Sequence, residues 1–146
     1  MTTPSGTLIG FDFGERRIGV AVGETGTGIA NPLGAIDAAA NDERFRRIGQ
    51  LVEEWHPAGF VVGRPRHADD SEHEVAKLAE KFARRLAARY NVPVVMVDET
   101  LTSATAEASL RDSRAGAKRK GDVDAVAAAI ILQSYLDDPS HARAVA

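Results

Sequence analysis

The sequence predicts a single α/β domain, a mixed sheet with helices on both faces. Three observations predict it. Residues 8–36 hold three apolar runs separated by turn residues, with no helical period. From Asn41 onward, stretches with apolar residues three and four apart alternate with short apolar segments. Those segments, "GFVVG" and "VPVVMVDE", read as strands buried on both faces, as a sheet covered by helices requires.

Taken in order, Leu8–Phe13 and Arg17–Gly23 form a hairpin around "GERR". "IANPLGAI" at 29–36 is a third strand, and Pro32 directs it to an edge. Asn41 or Asp42 caps a helix that carries Phe45, Ile48, Val52 and Trp55 on one face, and "HP" at 56–57 ends it. A buried strand follows at 59–63. "SEHE" then reads as a capping box, with Ser71 at N-cap and Glu74 at N3, opening a helix with the stripe Val75, Leu78, Phe82 and Leu86. The strand at 92–99 ends in two acids. Thr102 or Ser103 starts a short helix to about Leu110, and 111–121 is a basic, glycine-containing loop. The last helix spans 122–136, with Asp122 as a natural N-cap. Residues 1–6 and 138–146 are expected to be loose tails. The order is β-β-β-α-β-α-β-α-α, with no repeat, linker or second domain in residues 1–146.

Composition narrows the chemistry. The chain has 146 residues, a net charge of −3 and no cysteine, so thiolate nucleophiles, thiolate ligands and disulfides are excluded. "MTTPSGT" lacks the basic and apolar regions of a signal peptide, and no run is apolar enough to span a membrane, so a cytoplasmic location is expected. The acidic balance disfavours bulk electrostatic coating of nucleic acid but allows one local basic patch. His56, His67, His73 and His141 show no ligand spacing. There is no Walker motif and no G-x-G-x-x-G. Aromatic residues are 5% of the chain, too few for a base-stacking platform.

The informative residues are acids. Asp12 interrupts the apolar run "LIGFDFGERRIGVAVG", and a buried carboxylate is costly unless it is paired, hydrogen-bonded or metal-bound. Strand alternation sets Gly10, Asp12 and Gly14 on one face of the first strand and Gly19, Ala21 and Gly23 on one face of the second. If these faces coincide, Asp12 stands in a hollow; the ordinary alternative is a structural hydrogen bond near the turn. Asp98 and Glu99 end a strand at the sheet's carboxyl side, where ligands gather in open α/β sheets, although solvated loop acids read the same way. Asp124 shares a helix face with Ala128, Ile131 and Tyr135, which directs it towards the core or a cleft. Three carboxylates without histidine or cysteine suit a hard cation such as Mg²⁺ or Mn²⁺. Two such ions about 4 Å apart can activate water and stabilise a leaving oxygen at a phosphodiester. Arg111, Arg114, Lys118, Arg119 and Lys120 make residues 111–120 either a phosphate-contacting arm or a solvated loop. Arg16 and Arg17 are weaker phosphate-contact candidates.

Four ordered motifs, "IGFDFGERRIGVAVG", "VVGRP", "VDETLTS" and "KGDVDAVAAAIILQSYL", resemble the YqgF or RuvX family of Holliday junction resolvase-like proteins. The likeness runs from about Thr7 to Leu136. It implies an RNase H-like fold, with a five-stranded mixed sheet in the order 3-2-1-4-5. It also implies that Asp12, Glu99 and Asp124 form the catalytic, metal-binding set of a nuclease using Mg²⁺ or Mn²⁺. The implied role is processing of the 5′ end of precursor 16S ribosomal RNA, with structured RNA as substrate and ribosomal particles as further partners. With that resemblance, Arg114, Lys118, Arg119 and Lys120 read as nucleic-acid contacts, because their loop leads into Asp124, and Arg17 and Arg64 are further candidates. Arg64 is expected at the rim of the cleft, and Gly63 is expected to keep the space between Asp12 and Glu99 open. The glycines beside Asp12 are expected to clear a face for metal and phosphate.

The sequence departs from the family pattern at Thr100, where arginine is usual, at Arg64, where an apolar residue is usual, and at "ADDSE", where Asp-Gly is usual. Two rival functions stay open. One is a resolvase acting on branched, four-way DNA, which would require a dimer. The other is a catalytically silent nucleic-acid or ribosome-binding module. Monomer and dimer are equally compatible with the sequence.

Overall fold

The computed structural model describes residues 5–64, 70–98 and 120–145. Strands β1 (Thr7–Asp12), β2 (Arg17–Glu24), β3 (Ile29–Asp37), β4 (Gly59–Arg64), β5 (Val94–Asp98) and β6 (Arg143–Ala144) form one sheet in the order β3-β2-β1-β4-β5-β6. β1 is antiparallel to β2 and parallel to β4, and β5 continues the parallel half. Helices α1 (Asn41–Trp55), α2 (Asp70–Tyr90) and α3 (Lys120–Asp137) cover it.

Side-chain alternation divides the interior into two cores. Ile9, Phe11, Phe60, Val62 and Met96 face α1 and α2, where Phe45, Ile48, Phe82 and Leu86 meet them. Leu8, Ala21, Val61 and Val97 face α3 through Ala128, Ile131 and Leu132. The central strands are therefore apolar on both faces, as their unbroken apolar sequences foretold. Both long connecting helices end in a left-handed residue. His56 (φ 47°) and Asn91 (φ 53°) turn the chain, and each amide donates back into its helix, to Val52 and Ala87.

β3 is an edge strand, as Pro32 foretold. Its register with β2 slips by one residue: Val20 faces Gly34 while Ala21 faces Pro32, so Leu33 is the extra residue of a bulge. The turn before β3 is tied to α3 through Gln133. Its Nε2 donates to the Gly28 carbonyl (2.8 Å), and its Oε1 accepts from the Ala30 amide (2.9 Å).

Several boundaries differ from expectation. The sheet has six strands, because residues expected to fray instead pair with β5. Asp138 caps a 3-10 turn at Pro139–His141, Ala144 then lies opposite Val95, and the Val145 amide donates to Val94 at 2.8 Å. An unpaired β5 edge would expose a row of amides and carbonyls, which this short strand satisfies. α3 begins at Lys120, so Asp122 lies in its first turn rather than at the N-cap, and α2 begins at Asp70, so Ser71 lies inside it. β5 is shorter than the expected 92–99. The expected helix near 102–110 and most of the basic loop lie outside the described residues.

The β1–β2 register is the feature that positions everything else. Asp12 pairs with Gly19, Gly10 with Ala21 and Leu8 with Gly23, so the two small-residue faces do coincide. The hollow they make is filled by α3. A Cβ on Gly19 would overlap the Asp124 carbonyl oxygen, and one on Gly10 would lie 2.8 Å from the Leu132 Cβ. Gly23 is closed in the same way by Leu132 and Leu136, both 3.1 Å from where its Cβ would be. These glycines therefore admit a helix backbone, which corrects the expectation that they clear a face for metal and phosphate. Gly19→Ala should destabilise the fold by about 1–3 kcal/mol through overpacking. Gly34→Ala, where nothing stands within 4 Å of the added carbon, should stay within about 0.5 kcal/mol of the parent. Urea unfolding of the two variants checks both values.

Candidate metal and nucleic-acid site

Asp12 ends β1 between two glycines. Gly19 is its partner on β2, and Gly63 is its partner on β4. No neighbouring side chain in that row crowds its half-buried carboxylate. Because α3 rests its backbone on Gly19, Asp124 is set down beside the residue directly opposite Asp12. The face carrying Ala128, Ile131 and Tyr135 is buried, as the helical spacing foretold, and Asp124 stays about a quarter exposed at its upper end.

Arg17 completes the corner. It precedes Gly19 by two residues, so both point to the α3 side of β2, and its Nε donates to Asp124 Oδ2 at 2.8 Å. The structure thus joins Arg17 to Asp124 and sets the Asp124 backbone against Gly19, the β2 partner of Asp12. Arg17, expected as a phosphate contact, here neutralises one of the acids.

Arg64 points the other way. It lies on the α2 side of β4, where its Nε donates to Glu80 Oε1 at 2.8 Å, and its Nη1 is 3.6 Å from Asp98 Oδ1. Asp98 also faces Arg143 of β6, with Nη2 to Oδ1 at 3.8 Å. That oxygen is buried and accepts no hydrogen bond from a described residue, so the two guanidiniums act on it through charge at distances beyond bonding length. Glu99, Arg114, Lys118 and Arg119 lie outside the described residues, and Lys120 is described only as the first residue of α3. Among the described residues no three His, Cys, Asp or Glu side chains form a metal cluster. Asp12 and Asp124 are hard oxygen donors, the donor type that Mg²⁺ and Mn²⁺ prefer.

One residue of this corner escapes the pattern reading. Arg44 is 3% exposed. Its Nε donates to the Ala38 carbonyl, and its Nη2 donates to the carbonyls of Gly14 (2.7 Å) and Glu15 (2.6 Å). It thereby clamps the turn between Asp12 and Arg17, and its guanidinium carbon lies 5.4 Å from the centre of the Phe13 ring. Burial pulls its pKa down from the ordinary arginine value, and the Glu15 carboxylate pulls it partly back. The available signal was its place on the 44/48/51/55 stripe of α1, a cation among apolar residues.

The model of the family described as RuvX, Holliday junction resolvase, matches residues 6–138. The chain belongs to that family. Among curated relatives, a protein named "Putative pre-16S rRNA nuclease" from Dechloromonas aromatica is 53% identical over 137 residues, covering 93% of this chain and 94% of the relative. Proteins of the same name from Methylobacillus flagellatus (54% over 133 residues; 90% and 91% covered) and Neisseria gonorrhoeae (50% over 135 residues; 92% and 89% covered) are comparably close. Among solved structures, Thermus thermophilus RuvC in complex with a Holliday junction substrate superposes with a TM-score of 0.62, covering 95% of this chain and 99% of that one. A second structure of that RuvC gives 0.56, covering 94% and 99%. At 16% and 15% identity these two show the fold, which is RNase H-like with the expected strand order.

Arg44→Met should destabilise the chain by about 2–4 kcal/mol, since it strips donors from three carbonyls that the cation now satisfies. Arg17→Gln should change stability by less than about 1 kcal/mol, because its ion pair with Asp124 is partly solvated. Chemical denaturation of the RuvX-family chain and the two variants measures both.

Proposed function

We propose that this protein is a metal-dependent nuclease that processes the 5′ end of precursor 16S ribosomal RNA, in the cytoplasm and in contact with ribosomal particles. The observation that carries the reading is the seating of α3 on Gly19, which places Asp124 and Asp12 on one face at the sheet's carboxyl edge. Relatives of about half-identical sequence over nearly the whole chain bear the corresponding name. Asp12, Asp124 and Glu99 would hold Mg²⁺ or Mn²⁺. A divalent ion there supplies charge stabilisation at the phosphate and makes water a competent nucleophile, and a three-carboxylate set serves the two-ion form of that chemistry.

The chain's own residues do the positioning. β1 fixes Asp12 in the centre of the sheet. α3 fixes Asp124 through backbone packing rather than through a flexible loop. Arg17 orients the Asp124 carboxylate and places one guanidinium where a phosphate would arrive, while Arg44 holds the turn that carries Arg17. Arg64, engaged with Glu80 and Asp98, would have to give up those partners to meet nucleic acid. Arg114, Lys118, Arg119 and Lys120 would contribute phosphate contacts.

Asp12→Asn, purified free of contaminating nuclease, should leave the circular dichroism spectrum unchanged and reduce cleavage of a precursor 16S RNA fragment to background. EDTA should do the same to the parent, with activity restored by Mg²⁺ or Mn²⁺. Undiminished cleavage by the variant would sink the assignment. The family's description favours a second reading, junction resolution, which would require a dimer. A four-way DNA junction assayed beside the RNA decides between them: preferential, symmetric cutting of the junction supports the resolvase.

A further inference from the structure

Immediately beyond Asp12 the chain crosses to the other side of the sheet. Phe13 turns towards α2, where its ring centre is 5.3 Å from that of Phe82. Over it lies a cavity of about 250 Å³, lined among the described residues by Phe13, Glu15, Asn41, Arg44, Lys81 and Arg85. Three cations meet there with one carboxylate. Arg44 spends its hydrogen bonds on backbone carbonyls, which satisfy its donors without cancelling its charge. Lys81 and Arg85 make no hydrogen bond or ion pair with any described residue. α1 begins at the cavity with Ala40, which offers no side-chain cap. A chain of net charge −3 has thus concentrated positive charge in one concave place. Such a place focuses potential on an arriving anion, and guanidinium groups suit phosphate oxygens well.

We propose that this cavity is a phosphate subsite for the nucleic-acid strand whose scissile bond lies at Asp12. The inference rests on the nuclease reading. Phe13 follows Asp12 directly, so the cavity opens on the α1 and α2 side of the same sheet edge whose α3 side carries the acid corner. A strand crossing the sheet's carboxyl edge there would set a phosphate one or two nucleotides from the cut among Lys81, Arg85 and Arg44. Glu15 at the rim would keep the subsite from holding free anions indiscriminately. The ligand chemistry is the phosphodiester backbone, which RNA and branched DNA share.

The test is the salt dependence of binding. Fluorescence anisotropy would follow a labelled precursor 16S RNA fragment and a four-way DNA junction, each titrated with Asp12→Asn protein so that binding is read without cleavage. Adding Lys81→Gln and Arg85→Gln together should lower the steepness of log K against log salt by about 1. Lys81→Gln alone should give a smaller fall. Lys77→Gln, an exposed cation on α2 outside the cavity, should leave the slope unchanged. A fall confined to the RNA or to the junction names the strand that uses the subsite. An unchanged slope overturns the subsite, and cleavage by the Lys81→Gln/Arg85→Gln protein with Asp12 intact then leaves the nuclease reading standing. If the slope falls but the protein with Asp12 intact cleaves neither substrate, the cavity is a phosphate contact, and its place beside a scissile bond falls with the nuclease reading. No binding to either nucleic acid overturns both.

Discussion

The close approach of α3 to the glycine face of β1 and β2 is the constraint on which this structure depends. Helices ordinarily pack on sheets through interposed side chains. Here three positions, Gly10, Gly19 and Gly23, have none, so the α3 backbone comes against Gly19 and Gly10 while Leu132 and Leu136 close over Gly23. The contact performs two tasks at once. It buries the apolar face of α3 against Leu8, Val61 and Val97, and it fixes the height of Asp124 relative to Asp12. Packing and site geometry are the same interaction, so a change that loosens one must loosen the other.

The polar residues around the corner follow from that arrangement. A carboxylate brought to the edge of an apolar layer needs compensation, and Arg17 supplies it from the same face of β2. The turn joining Asp12 to Arg17 has little freedom of its own. A Cβ on Gly14 would run into the Arg17 carbonyl, and Arg44 draws the carbonyls of Gly14 and Glu15 towards α1. The acid corner is therefore anchored from both sides of the sheet, by the α3 backbone on one and by a buried guanidinium on the other.

The fold was legible in the sequence because its signals are local. Strand alternation, unbroken apolar runs and helical stripes gave the order of elements, and Pro32 marked an edge strand. Asp12 stood out for the same reason, as one charge in an apolar run. What the sequence hid was tertiary. Glycines that admit a ligand and glycines that admit a helix look alike until the register is known. Arg17 and Arg64 read as phosphate contacts because their carboxylate partners, Asp124 and Glu80, are distant in sequence. Arg44 was passed over because an amphipathic helix is expected to carry arginines, and only burial shows that this one faces inward. "SHARA" has the composition of a frayed tail, and its pairing with β5 depends on an edge that exists only once the sheet has formed.

That last pairing also governs how the molecule meets copies of itself. An open sheet has two edges, and either can recruit a foreign strand. At one end, the bulge at Leu33 and the missing amide of Pro32 break the row of donors and acceptors that a visiting strand would need. At the other end β5 reads "VVMVD", apolar up to its terminal Asp98, a composition prone to stack into intermolecular sheets. The last few residues lie across it. Although small and largely exposed, β6 covers part of that edge, and its removal would leave the β5 backbone open to a visiting strand.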